Sequence, residues 1–310
     1  MIPSNFPLSF SDPVARARVD HRPVVALEST VITHGLPYPD NLNLARDLEN
    51  EIAGEQATPA TIALLDGKIQ VGLTSSQLER LATAEGAIKV SRRNFGLALA
   101  RGLVGGTTVA GTMHVAHQAG IQVFATGGIG GVHRNAPFDV SNDLMELGRT
   151  PMVVVCAGAK SILDLPATLE VLETQGVLVL GYQTDEFPAF FSRTSGLALS
   201  ARSDNPEDIA AIARAHWQVG VDSAILVVNP LAEEVALDYG EVESYIRTAL
   251  QDAEEQGVHG SSMTPYLLAR INELSGGRTL QANLALLRSN ARLAARIAVA
   301  LVLPGLNRTM

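Results

Sequence analysis

The sequence predicts a three-layer α-β-α fold with a largely parallel central sheet and a helical C-terminal segment. Short apolar runs of strand length alternate with helix-period segments, as strands and crossover helices must in a parallel sheet. One strong two-residue hairpin signal, Asp66-Gly67, interrupts that alternation. From Tyr239 onward the chain reads as nearly continuous helix.

Taken in order, residues 1–22 read as an N-terminal extension of a single domain spanning residues 1–310. Pro23–Leu27 is a short buried strand that ends at Glu28. Leu42, Leu44, Leu48 and Ile52 form one apolar stripe, which predicts a helix over Leu42–Glu55. Thr61–Leu65 and Lys68–Leu73 flank the hairpin turn, and Thr74 with Gln77 makes a capping box for a helix reaching about Ala84. A strand over Ala87–Val90, a Gly-Thr loop over Gly105–Thr108, a helix to Ala119 and a strand over Ile121–Ala125 follow. Met152–Cys156 is another buried strand, with Ala157-Gly158-Ala159-Lys160 directly behind it. Helix Pro166–Thr174 and strand Val177–Leu180 complete a β-α-β unit. Asn205-Pro206 before Glu207-Asp208 caps a helix to Val219, and strand Ala224–Val228 ends at Asn229-Pro230. Thr264–Leu274 and Leu280–Leu301 are the closing helices.

The 310 residues are 46% hydrophobic and 18% charged, which suits a folded enzyme and not a disordered chain. A net charge of −9 gives no electrostatic footprint for a nucleic-acid polymer, although a single nucleotide remains open. No apolar run reaches the ~18 residues of a membrane span, and Met1–Arg22 lacks the layout of a signal peptide. No membrane partner and a cytoplasmic location are therefore expected. The one cysteine, Cys156, excludes an internal disulfide.

In parallel sheets, ligands gather beyond the carboxyl ends of the strands. Glu28, Lys89, Thr126 and Lys160 all fall at or just past such an end. Lys160 follows an apolar strand and small residues, where lost hydration disfavours its ammonium form and makes the amine a nucleophile. Glu28, among hydroxyls and His34, suits general acid/base work. The run Gly127-Gly128-Ile129-Gly130-Gly131 follows a strand, but no helix opens behind it, which argues against a dinucleotide loop. A close-approach loop carrying His133 and Arg134 to a ligand is expected there instead. Gly105-Gly106-Thr107-Thr108-Val109 opens a helix whose free N–H groups favour a phosphate, and Phe138–Asp143 does the same at the next helix start. Asp139 offers one carboxylate to a hard divalent cation, with water filling the remaining positions.

These segments resemble the pseudouridine-5'-phosphate glycosidase family. The matching runs include ALESTVITHGLPYP (Ala26–Pro39), TPATIALLDGKIQVGL (Thr58–Leu73), KVSRRNF (Lys89–Phe95) and GGTTVAGTMHVAHQAGIQVFATGGIGGVHR (Gly105–Arg134). FDVSNDL, VVVCAGAKSILDLPATLEVLETQGV and NLALLRSNARLAARIA continue the match, so it covers nearly the whole chain from Val24 to Leu301. The resemblance implies reversible conversion of pseudouridine 5'-phosphate and water to uracil and ribose 5-phosphate, by a Mn2+-dependent homotrimer. It further implies Glu28 as proton donor, Lys160 as nucleophile and Asp139 as the metal-binding acid. Lys89, Val109, Ser141, Asn142 and Asp143 match substrate-binding positions, and Thr126, His133 and Asn283 fall on pocket positions. Arg134–Phe138 is shorter than in some relatives, and Asn142 replaces a commoner small residue.

A carbon–carbon glycosidic bond does not yield to the usual pair of carboxylates. The expected route has Lys160 bond to the anomeric carbon of an opened ribose, so that a Schiff base remains once the protonated uracil departs. A Schiff-base lyase on another sugar phosphate and a non-catalytic sugar-phosphate sensor are the competing readings.

Overall fold

The most apolar segments of the chain form the middle of a parallel sheet. The computed structural model describes residues 7–134, 136–258 and 263–302. β1 (Leu8–Phe10), α1 (Asp12–Val19), β2 (Val24–Leu27), α2 (Thr30–His34) and α3 (Asp40–Gly54) come first. A hairpin of β3 (Thr58–Leu65) and β4 (Lys68–Val71) precedes α4 (Ser75–Ala82), β5 (Ile88–Val90) and α5 (Phe95–Ala100). Next are β6 (Gly105–Thr107), α6 (Val109–Gln118), β7 (Val123–Ala125), β8 (Val132–His133), β9 (Ala136–Val140) and α7 (Asn142–Leu147). β10 (Val153–Cys156), β11 (Leu163–Asp164), α8 (Leu165–Thr174), β12 (Leu178–Tyr182) and β13 (Arg202–Ser203) continue the alternation. The chain ends in α9 (Pro206–Gln218), β14 (Ile225–Val228), α10 (Tyr239–Glu255), α11 (Met263–Leu274) and α12 (Arg278–Val302).

Among the described residues the main sheet has 11 strands, and its core path β3-β2-β7-β10-β14-β12 is parallel throughout. β10 and β14 are buried at every position, the unbroken apolar pattern required of strands covered on both faces. Helices α3, α9 and α12 pack together over this sheet, and α6, α7 and α8 supply the second helical layer. The predicted fold class is the one observed.

Local chemistry accounts for the ends of the elements. Asp66 and Gly67 both take positive φ (54° and 67°), as the tight hairpin turn requires. The Thr74–Gln77 capping box forms, and the Asn205 side chain caps α9 by accepting the Asp208 N–H at 2.8 Å. Asp47 and Glu51 of α3, and Glu55 at its C-cap, pair with Arg288, Arg292 and Arg296 of α12. Each pair is worth little alone, and their equal spacing on the two helices matches the register in which the buried faces pack.

Several expectations are corrected. Within the N-terminal extension, β1 adds to the sheet beside β4, and α1 buries Val14 and Ala17. Gly105–Thr107 is a strand rather than a loop, antiparallel to β3 and parallel to β5. Its glycines are what permit it, because a Cβ on Gly106 would stand 2.7 Å from the Ser29 carbonyl oxygen. Asp139 lies in β9 and not at a helix start; Ser141 caps α7 after it. The stretch after the glycine run forms a second, three-stranded sheet of β11, β8 and β9, with Asn135 outside the described residues.

Candidate active site

Glu28 follows β2 at the carboxyl edge of the sheet, and its position is set from behind. The buried Ser29 donates to the Ile62 carbonyl at 2.5 Å and accepts the Thr107 N–H at 2.9 Å, locking the turn onto β3 and β6. Both Glu28 carboxylate oxygens then accept hydroxyl hydrogen bonds: Oε1 from Thr126 at 2.5 Å, Oε2 from Thr30. Thr126 comes from the end of the neighbouring strand β7, so the carboxylate is braced across two strands.

Lys160 arrives by the predicted route. Its N–H donates to the Ile129 carbonyl at 3.1 Å, which holds the segment after β10 against the glycine run. The side chain is half-buried, and its amine makes no hydrogen bond or ion pair with the described residues. Lys89, at the end strand β5, links the two groups electrostatically. Burial pushes its pKa down from the ordinary lysine value, the Lys160 charge pushes it further, and Glu28 pulls it up. Much of the Lys89 side chain remains open to water. His34 is held below its ordinary value by burial and by the Lys89 charge, so these four residues share one electrostatic neighbourhood.

The glycine run and the two helix starts are tied together by Asp143. Its buried carboxylate accepts the Ala110 N–H at 2.9 Å and the Gly130 N–H at 2.8 Å. Both oxygens are therefore engaged by the protein itself, which makes the side chain a brace and leaves backbone groups to face a ligand. Thr108 takes the Gly111 N–H, so the Val109 N–H is the remaining orphan of the first turn of α6. Ser141 accepts the Asp143 N–H at 3.2 Å, and Asn142 is exposed at the start of α7.

Arg134 does not reach toward a ligand. It pairs with Glu243 and donates to the Ser161 and Leu163 carbonyls. His133 pairs with Leu163 across β8 and β11, with its side chain half-buried. Asn283 lies one helical turn before Leu286 and Leu287, the residues that abut Gly127, which places it beyond the carboxyl end of β7. Asp139 is exposed on β9, and among the described residues no three acids, histidines or cysteines gather to hold a metal. A hard cation there would need water and substrate oxygens to complete its shell. Cys156 is inert core: burial pushes its thiol up to about 12.

Sequence reasoning missed Asn229, Asn290 and Thr30. Asn290 carried a readable signal, because it breaks the apolar stripe of Leu286, Leu287, Leu293 and Ala294.

An unpaired amine and a hydroxyl-braced carboxylate, on the carboxyl edge of a parallel sheet, define an α/β protein with a lysine–carboxylate site. Residues 13–300 match the family model described as indigoidine synthase A like protein. The chain is 53% identical over 300 residues to the pseudouridine-5'-phosphate glycosidase of Symbiobacterium thermophilum, covering 95% of this chain and 97% of the relative. It is 51% identical over 293 residues to that of Geobacillus kaustophilus, covering 94% and 97%. Among solved structures, the prealnumycin C-glycosynthase AlnA in complex with ribulose 5-phosphate superposes with a TM-score of 0.89 at 43% identity, covering 97% and 98%. An indigoidine synthase A-like protein from Thermotoga maritima gives 0.87 at 37% identity, covering 95% and 96%. The chain belongs to the pseudouridine-5'-phosphate glycosidase family.

Proposed function

We propose that this chain is an enzyme that reversibly cleaves the C-glycosidic bond of pseudouridine 5'-phosphate to uracil and ribose 5-phosphate, a reading supported by its 53% identity to a pseudouridine-5'-phosphate glycosidase. The observation that carries the reading is the unpaired Lys160 amine at the same carboxyl edge of the sheet as Glu28, whose carboxylate is held by the Thr30 and Thr126 hydroxyls.

In this scheme the ribose ring opens by breaking the bond between its ring oxygen and C1', the Lys160 Nζ bonds to C1', and the proton that the amine loses passes to the freed oxygen, which becomes a hydroxyl. Glu28 delivers a proton to uracil C5. The C1'–C5 bond then breaks as the nitrogen lone pair forms a C=N bond, so the electrons of the broken bond stay with the uracil ring. Water hydrolyses the Schiff base, releasing ribose 5-phosphate and restoring the amine. The Thr30 and Thr126 hydroxyls keep Glu28 in one orientation for that proton transfer.

The orphan Val109 N–H, the start of α7 at Ser141 and Asn142, Lys89 and His133 are proposed to hold the phosphate end. Asn283 offers donor and acceptor to the uracil edge. Mn2+ at Asp139 is part of the proposal only as a charge near the phosphate, and no step above runs through it. A homotrimer is proposed with it; Phe138, 98% exposed on β9, is apolar surface that such an assembly would cover. No helix among the described residues is long and apolar enough to cross a membrane, and a cytoplasmic location for this nucleotide catabolism is proposed.

Borohydride reduction in the presence of ribose 5-phosphate, followed by peptide mass spectrometry, tests the scheme. A reduced sugar-phosphate adduct on Lys160 is expected, and Lys160→Ala should abolish uracil release without changing the circular dichroism. An unmodified Lys160 in an enzyme that still turns over ends the covalent scheme.

A further inference from the structure

A fully buried asparagine in the apolar face of α12 is the least expected residue near the site. Asn290 is 0% exposed among Leu286, Leu287, Leu293 and Ala294, where an amide is retained only with partners. Its Nδ2 donates to the Thr126 carbonyl at 2.8 Å. Its Oδ1 accepts from Asn229 Nδ2 at 3.0 Å, and the Asn229 N–H is itself fixed to the Cys156 carbonyl at 2.8 Å. Thr126 lies one residue past the end of β7, and its N–H donates to the Val155 carbonyl at 3.0 Å. The sheet therefore holds one side of Thr126 and Asn290 holds the other. What remains of that residue is a hydroxyl, and it donates to Glu28.

We infer that Asn290 is a positioning residue for the proton donor, fixing the Thr126 backbone so that its hydroxyl stays on Glu28. This rests on Glu28 acting as the proton donor. An aliphatic side chain would fill the same space in α12, but it would leave the Thr126 carbonyl without its donor at the strand end. Asn229 extends the same brace to the end of β14, so four elements (β2, β7, α12 and β14) meet behind one carboxylate.

A double-mutant cycle on kcat for uracil release reads this directly. Thr126→Val and Asn290→Ala should each lower kcat roughly tenfold or more, a share of what a positioned acid supplies. The double variant should match Thr126→Val alone, because Asn290 acts through that hydroxyl. KM and the borohydride adduct on Lys160 should be unchanged in Asn290→Ala. Losses that multiply in the double variant, or a wild-type kcat in Asn290→Ala, overturn the inference. If Asn290→Ala does not fold, Asn229→Ala takes its place in the cycle under the same criterion. Wild-type protein that releases no uracil overturns the reaction itself, whereas normal turnover with multiplying losses overturns only the role of Asn290.

Discussion

Arg134 and Glu243 form a two-bond pair at 2.8 and 2.7 Å, and the paired guanidinium also donates to the main chain that carries Lys160. Its Nε reaches the Leu163 carbonyl at 3.1 Å, and a terminal nitrogen reaches the Ser161 carbonyl at 2.9 Å. Glu243 sits on α10, so a helix from the C-terminal third of the chain sets the backbone behind Lys160. The planar fork of arginine suits this task, since one group must satisfy a carboxylate and two carbonyls together.

Arg134→Ala should therefore cost about 2 kcal/mol of stability, the scale of hydrogen bonds to a charged group, and should also lower kcat. Urea unfolding and steady-state turnover measure the two effects. Arg134→Lys should recover only part of either, because an ammonium lacks the fork. Unchanged unfolding and turnover in Arg134→Ala would show that the clamp does not support the site.

Lys89 gives a pH dependence with a definite sign. Burial and the Lys160 charge lower its pKa, so it loses its proton at lower pH than an ordinary lysine. A phosphate contact to Lys89 is then present below that pKa and fades as pH rises through it. KM for ribose 5-phosphate should climb on the alkaline side. Lys89→Met should show a raised KM at neutral pH that no longer climbs there. A KM–pH profile of the same shape in both proteins counts against this contact.

Gly106→Ala places a Cβ 2.7 Å from the Ser29 carbonyl oxygen and closer still to the Thr33 hydroxyl. Backbone cannot swing aside as a flexible side chain does, so a loss of about 1–3 kcal/mol is expected from overpacking. The turn that yields is the one carrying Glu28, so kcat should fall as well. Thermal unfolding and turnover of this variant check both; a wild-type melting temperature would mean that the turn has slack.

Part of the site was legible in the chain because strand ends are local features. An apolar run that stops at Glu28, and another followed by Ala157-Gly158-Ala159-Lys160, can be read without knowing any neighbour. Gly105–Thr107 was not legible as a strand, since its pairing to β3 and β5 comes from segments far apart in sequence and glycine carries no strand preference. The bonds of the two Asp143 oxygens to Ala110 and Gly130 were not legible either, since they join separate segments of the chain. The pairing of Arg134 was hidden for a similar reason, because a loop arginine gives no sign of a partner 109 positions away.

The sequence by itself determined the alternation of strands and helices, the caps that bound them, and the arrival of an acid and an amine at strand ends. Periodicity and capping act over a few residues, which is why they could be read directly. Only the tertiary structure decided that Thr126 donates to Glu28, that Asn290 stands behind Thr126, and that Arg134 pairs with Glu243. Those relations depend on β2 lying next to β7 and on how α12 is rotated over them. Strand order and helix rotation emerge from burying all the apolar faces at once, a condition that no single segment contains.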